Sequence, residues 1–337
     1  MKRILCLLLV CVLFCGCAPS VEPSDSPAPS VEPSVSPEPS VESPSQSDTP
    51  VDFCVSFVDS VENNVNITGK PQNVAVLFSS YAEIWQLAGG TVAITVGEAV
   101  ERGFADTEKL VDDSAGKKID TELLLSYKPD LVIGSADIEG QVEAAEITRA
   151  AGIPTALFHV ETFDDYLAML QICTTITGEI ELYESNGTAV AREIESIIEG
   201  TAVYDYRPSI LFVRAGSTAS TVKAKTADQH FAAAMLEELG AKNIADAAPI
   251  LADGLSLEEV ILQDPDYIFV TTMGDEEAAK SYMLELFATE GWKDLTAVKE
   301  NRYVFLPKGL FHFKPNARWA DAYRYLAELL YPDAVDA

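Results

Sequence analysis

Few residues in this chain are spaced for chemistry. The three histidines, His159, His230 and His312, fall in three separate segments, and neither His-x-His nor His-x-x-x-His spacing occurs. No pair of imidazoles is therefore set on one strand or one helix face to hold a metal. A lone histidine after a strand reads as a polar loop residue or as a ligand, and the sequence leaves both open. The Gly-x-Ser-x-Gly elbow, the His-Glu-x-x-His motif, the phosphate loop and the dinucleotide fingerprint are also lacking. An enzymatic reading would need Ser79 beside His159 or His312 with an acidic partner, and scattered histidines do not favour it. No resident cofactor is expected.

Cations are more informative, because they are scarce. Against a net charge of −30, Arg214, Lys223, Lys225, Lys308, Lys314 and Arg318 collect in two segments of the second half. They are either ordinary solvated charges or a rim for an anionic ligand. Tyr81, Phe311 and Phe313 are either core or an apolar wall beside that rim. Alternation turns one of Phe311 and Phe313 inward. Trp85 and Trp319, on helix faces, read as core.

Strands alternating with helices must position these groups. Two units repeat: 119–133, IDTELLLSYKPDLVI, and 255–269, LSLEEVILQDPDYIF. Each reads as a capped helix (Asp120; Ser256 with Glu259 as a capping box), then Pro-Asp, then a buried strand. Between them, 180–200 keeps Ile180, Tyr183, Val190, Ile194 and Ile197 on one face, broken at Gly187, as one helix roughly 30 Å long. Further strands are expected at 53–58, 64–68, 73–78, 92–96, 154–158, 209–214 and 302–306. A capping box at Ser80 and Glu83 opens a helix, and others are expected at 138–151, 163–177, 231–239, 278–288 and 316–330. The fold class is α/β, two lobes with mostly parallel sheets joined by one long helix and a ligand cleft between them. In open sheets of this kind ligands lie beyond the carboxyl ends of the strands. That rule selects 79–81, Glu98, 135–137 and His159 from the first half. From the second it selects Arg214, 272–273 and the loop 308–314.

The first 50 residues are of another kind. Lys2 and Arg3 precede an apolar run at 4–14 that is too short to span a bilayer, so 1–16 read as a signal peptide. The ending Phe14-Cys15-Gly16-Cys17 resembles a lipobox, with Cys17 the lipidated residue. Residues 17–50 are a Pro/Ser/Glu tether with almost nothing apolar to bury, and at about 3.1 Å per residue it reaches about 100 Å. The first lobe follows at 51–179, the helix at 180–200 and the second lobe at 201–337. Four of six cysteines lie within the first 17 residues, leaving Cys54 and Cys173, which are expected to be buried free thiols. The acidic balance argues against nucleic acid as a partner.

The order of these segments, from SSYAEIWQLAGG through AAGIPTALFHVETFDDYLAMLQ and HFAAAMLEELGAKNIAD to KENRYVFLPKGLFHFKPNARWADAYRYLAELLYP, resembles one family from about Phe53 onward. It is similar to the substrate-binding lipoproteins of ABC importers for ferric siderophores, cobalamin and haem. The resemblance implies a shallow cleft between two lobes and modest lobe movement. It also implies an ABC importer permease as partner, an iron chelate or related macrocycle as ligand, attachment to the membrane through the lipid only, and a monomer outside the cytoplasm. The ligand residues expected from the strand ends, the cations and the aromatics are Ser80, Tyr81, Glu98, Arg214, Lys223, Lys225, Met273, Phe311, His312 and Lys314. In a haem carrier, His312, His230 or Tyr81 would ligate the iron. Docking on the permease would use Glu139 or Glu143 on the first lobe and Glu276 or Glu277 on the second. KGLFHFKPNARW departs from the shorter Arg-Gly-Pro-Arg-like segment of many relatives.

Overall fold

The computed structural model describes residues 53–248 and 250–332. The leader, Cys17 and the tether lie outside the described residues. Among these residues no helix is long and apolar enough to cross a membrane.

The first lobe opens with an antiparallel hairpin, β1 (Cys54–Val58) and β2 (Asn64–Thr68). There follow β3 (Val74–Val76), α1 (Ser79–Leu87), α2 (Gly97–Glu101), α3 (Thr121–Ser126), β4 (Leu131–Ser135), α4 (Glu139–Ala150), β5 (Thr155–Phe158) and α5 (Phe163–Thr177). β3, β4 and β5 form a parallel sheet. The strand expected at 92–96 is reduced to two isolated parallel bridges, Ala75 with Ile94 and Thr95 with Leu110. Cys54 is exposed on β1, against expectation, because the inward positions of that strand are Val55 and, in part, Phe57. Cys173 is buried and free, and burial pushes its thiol pKa well up.

The helix between the lobes runs as α6 (Glu181–Tyr183), a π turn at Glu184–Thr188, and α7 (Ala189–Ala202). Its cause is local. A Cβ at Gly187 would come within 3.0 Å of Leu167 Cδ2 and 3.3 Å of Leu170 Cδ2, so glycine lets the helix approach α5 closely. At the same turn, Tyr166 donates its hydroxyl to the Asn186 carbonyl (2.8 Å) and Asn186 donates its amide to the Leu87 carbonyl (2.8 Å). Anchors of this kind account for a widened turn inside a helix. Val190 and Ile194 are buried as the spacing requires, but Ile180 is exposed, lying ahead of the first helical residue.

The second lobe comprises β6 (Ser209–Ala215), β7 (Lys223–Ala224), α8 (Phe231–Glu238), β8 (Lys242–Asn243), α9 (Ile244–Ala247), α10 (Ile250–Asp253), α11 (Leu257–Gln263) and β9 (Tyr267–Thr272). It ends with α12 (Glu276–Phe287), α13 (Thr296–Lys299), β10 (Tyr303–Phe305), α14 (Lys308–Phe311) and α15 (Trp319–Leu330). Its sheet has the order β10-β9-β6-β7, with β8 also on β6; all pairs are parallel except β6 with β7. Alternation along β6 splits the core. Ile210 and Phe212 join a cluster continuous with the first lobe, while Leu211, Val213 and Ala215 join a second cluster under the other face. Each such large side chain contributes on the order of 1.5–3 kcal/mol by leaving water.

Both Pro-Asp units serve as staples. Lys128 (φ 53°) and Asp264 (φ 40°) take the left-handed conformation that ends the helix ahead of each proline. Asp130 then accepts from the backbone of Gln72 (2.7 Å) and Asn73 (2.9 Å), at the start of β3. Asp266 accepts from the backbone and hydroxyl of Ser209 (both 2.8 Å), at the start of β6. Each aspartate thus pins the neighbouring parallel strand in register. Asp120 caps α3 through the Leu123 amide (2.9 Å). The side chain of Ser256 makes no cap bond, and α1 starts at Ser79 after Phe78, so neither expected capping box forms. Glu83 points elsewhere, as described below.

Candidate ligand cleft

The carboxyl ends of β6 and β9 open on a recess of about 200 Å³ lined by Arg214, Thr271, Thr272, His230, Phe311, His312 and Lys314, with Glu161 from the first lobe. Five segments therefore meet there. β6 carries Arg214 beside Lys223 of β7, its register partner. Like charges placed opposite each other repel, and both side chains reach solvent here. Lys225 is fixed through its backbone, which donates to the Phe212 carbonyl (3.0 Å) and accepts from Asn243 Nδ2 (2.7 Å).

His230 caps α8, its Nδ1 accepting from the Ala232 amide (3.2 Å). That bond assigns the proton to Nε2. Burial, reinforced by the charges of Lys314, Arg214 and Lys225, pushes its pKa down to about 3. The ring lies between Phe212 and Phe231, with centroids 4.8 and 4.9 Å away. It is a neutral donor surrounded by cations. His312 faces the Thr272 carbonyl through Nδ1 (3.1 Å); a carbonyl only accepts, so Nδ1 carries the proton and Nε2 keeps its lone pair. Burial lowers the pKa of this ring also.

Lys314 is largely enclosed. Its ammonium lies over the Phe231 ring (4.6 Å) and donates to Glu161 Oε2 (2.6 Å) across the two lobes. Burial pulls its pKa down and Glu161 opposes that. Partial burial lowers Arg214 in the same way, again against Glu161. Glu161 thus acts as an internal anion among groups suited to an external one.

The facing rim belongs to the first lobe. Ser79 donates to Glu98 and accepts from Arg102 Nη1 (2.9 Å). The Arg102 guanidinium stacks on Phe313 of the second lobe at 3.9 Å. Asn316 donates to the Ser80 carbonyl (3.0 Å) and to Glu83 Oε2 (2.7 Å), and burial raises the Glu83 pKa. Phe313, Lys314 and Asn316 therefore tie the second lobe to the first within four residues.

These positions sort the residues proposed from sequence. Arg214, His312, Lys314 and Phe311 line the recess, Phe311 as a wholly buried floor against Tyr325. Lys225 adds its charge at His230, Glu98 faces His312 electrostatically, and Lys223 flanks Arg214 on an exposed edge. Met273 is half-buried just past the recess and bonds by its amide to the Ala215 carbonyl (2.8 Å). Tyr81 is a correction: its ring is 1% exposed and its hydroxyl donates to the Phe158 carbonyl (3.0 Å), so it is core and offers no ligand face. Ser80 is likewise enclosed, its hydroxyl beneath Arg102 Nη1 (3.3 Å). His159 pairs with Asp137 (2.7 Å) on the exposed surface and does not line the recess, although the Asp137 charge acts on Lys314. Arg102, Glu161 and Asn316 were not singled out from sequence. Glu161 was within reach of the strand-end rule, three residues past β5. No local pattern marks the other two. Among the described residues no group of three His, Cys, Asp or Glu is placed to hold a metal ion.

Two α/β lobes, a single helical link and a recess at the strand ends form a framework for holding a solute between two bodies. The chain belongs to the periplasmic binding protein family, whose family model matches residues 74–310. A search among curated proteins returned no match. Its fold is similar to that of a periplasmic solute binding protein from Veillonella parvula DSM 2008, with TM-score 0.65, 18% identity, and 84% of this chain and 88% of that one covered. It is also similar to Staphylococcus aureus SirA complexed with staphyloferrin B (TM-score 0.62, 19% identity, 82% and 97% covered). A third is the periplasmic heme-binding protein RhuT from Roseiflexus sp. RS-1 (TM-score 0.63, 22% identity, 78% and 99% covered).

Proposed function

We propose that the chain is the lipid-anchored, monomeric solute-binding component of an ABC importer, and that its solute is an anionic iron chelate, a ferric siderophore first. The observation that carries this is the convergence of Arg214 and Lys314 on one recess beside His230, with Lys225 adding its charge at that ring. In a partly dry site such groups hold anionic oxygens far better than in water. SirA, a structural neighbour, is complexed with staphyloferrin B in its crystal structure.

Capture and release need no covalent step. Ser79 is bonded to Glu98 and Arg102, and His159 to Asp137, so the enzymatic alternative lacks its nucleophile–base pair among the described residues. Glu139 in the first turn of α4 and Glu276 and Glu277 in the first turn of α12 occupy matching places after β4 and β9. We assign them, with Glu143, to permease docking. Glu277 is freer than Glu276, whose carboxylate is held by Lys280 (2.7 Å).

The test is quenching of tryptophan fluorescence by ferric citrate, a ferric hydroxamate, a ferric catecholate, haemin and cyanocobalamin. Arg214→Ala and Lys314→Ala should each weaken an anionic chelate about tenfold or more, with the loss shrinking at high salt. Equal affinity of both variants and the parent would refute the cationic site. A haem reading has one supporting observation, the free Nε2 of His312. A Soret shift with haemin that disappears in His312→Ala would favour it.

A further inference from the structure

The cationic recess is already occupied by a charge of the protein's own. Arg214 and Lys314 line it, and both feel the carboxylate of Glu161, which Lys314 bonds at 2.6 Å. The two partners of that bond are held differently. Lys314 lies between Phe313, stacked on Arg102, and Asn316, bonded to the first lobe, and its side chain is only 17% exposed. The Glu161 side chain is 40% exposed and makes no other hydrogen bond among the described residues. Its main chain is fixed, because Asp165 Oδ2 accepts from the amides of Glu161 (3.0 Å) and Thr162 (2.8 Å) in the capping box that opens α5. The Glu161 side chain can therefore turn away from Lys314 while both lobes stay at rest.

A second hollow, of about 390 Å³, gives it room to do so. Glu161 and Phe231 line both spaces, and the Lys314 ammonium over Phe231 sits at their boundary. Asp164 and Asp228 of that hollow are exposed, so a displaced carboxylate meets water there, while their charge biases it back toward Lys314. Being part of the same chain, Glu161 competes for Lys314 at an effective concentration on the order of millimolar. A solute with one anionic group merely exchanges one carboxylate for another. A solute with two or more gains Arg214 as well. We infer that Glu161 is a displaceable counter-ion that sets the specificity of the cleft: it refuses monoanions, and a polyanionic solute swings it off Lys314 and takes its place.

This inference rests on the anionic-chelate reading above, and the two fail separately. The probes are acetate, metal-free citrate and ferric citrate, titrated calorimetrically into the full chain at low salt. Glu161→Gln should tighten citrate at least about tenfold, and the gain should vanish when Lys314→Ala is also present. Glu146→Gln, on the exposed side of α4, removes the same charge elsewhere and should leave affinity unchanged. Millimolar acetate should saturate the Glu161→Gln variant and not the parent. Glutamine keeps the size of the side chain and the backbone bonds to Asp165, so the variant should fold; circular dichroism checks this. The counter-ion role is overturned if Glu161→Gln leaves citrate affinity unchanged, if its gain persists without Lys314, if Glu146→Gln matches it, or if acetate saturates the parent equally. Ferric citrate that binds parent and Glu161→Gln alike would leave the chelate reading standing without this gate. Metal-free citrate that obeys the variants, while neither ferric citrate nor any other iron chelate binds, would sink the chelate reading and leave the gate.

Discussion

His230 offers a quantitative check on the charged recess. The folded protein depresses its pKa from 6.5 to about 3, through burial first and then Lys314, Arg214, Lys225 and His312. The unfolded chain therefore takes up this proton at a higher pH than the folded one. Stability from this group is complete above about pH 6.5 and is lost as pH falls toward 3. The full effect is on the order of 5 kcal/mol, and at pH 4.5 roughly 2–3 kcal/mol of it should already be gone. His230→Asn isolates the effect, because asparagine keeps an acceptor at the start of α8 but does not titrate. It will lower stability at every pH by losing the packing on Phe212 and Phe231, so the readout is the slope rather than the level. Urea unfolding by circular dichroism from pH 7.5 to 4.5 should show the parent losing roughly 2–3 kcal/mol more than the variant. Parallel curves would mean that the ring is solvated, and the dry cationic site would fall with it.

Two further outcomes follow from the placements above. Tyr81→Phe removes a buried hydroxyl bonded to the Phe158 carbonyl, so stability should fall by about 1 kcal/mol or somewhat more in a urea titration while chelate affinity stays the same; a loss of affinity would return Tyr81 to the cleft. Cys17→Ser should release the protein from membranes without changing affinity, as cell fractionation followed by a binding assay would reveal, and persistent attachment would exclude the lipobox.

Much of the fold was legible because its signals are local. The Pro-Asp units carry their own helix stop and strand start, and Asp130 and Asp266 do the same work in both lobes. What was not legible depends on partners remote in sequence. Ser80 and Glu83 have the spacing of a capping box, but Asn316 and Arg102 draw Glu83 into the lobe contact instead. Tyr81 has the same local pattern whether it faces a ligand or the core, and the β5 carbonyl decides it. Within the site, scarcity made Arg214 and Lys314 visible. Glu161 was one acid among 53 acidic residues, and only its bond to Lys314 distinguishes it.

The strip Phe313–Asn316 has a mechanical consequence. A single rod between two bodies allows them to bend in any direction. Here the bodies are joined by the 181–202 rod and again by this strip, through Arg102, Glu161 and Glu83. One buried cluster also runs from the first lobe through Phe231 and Trp319 into the second, so rod, strip and shared core brace the bodies together. A cleft built on such a frame is set in shape before any solute arrives, and little ordering is left for the solute to impose.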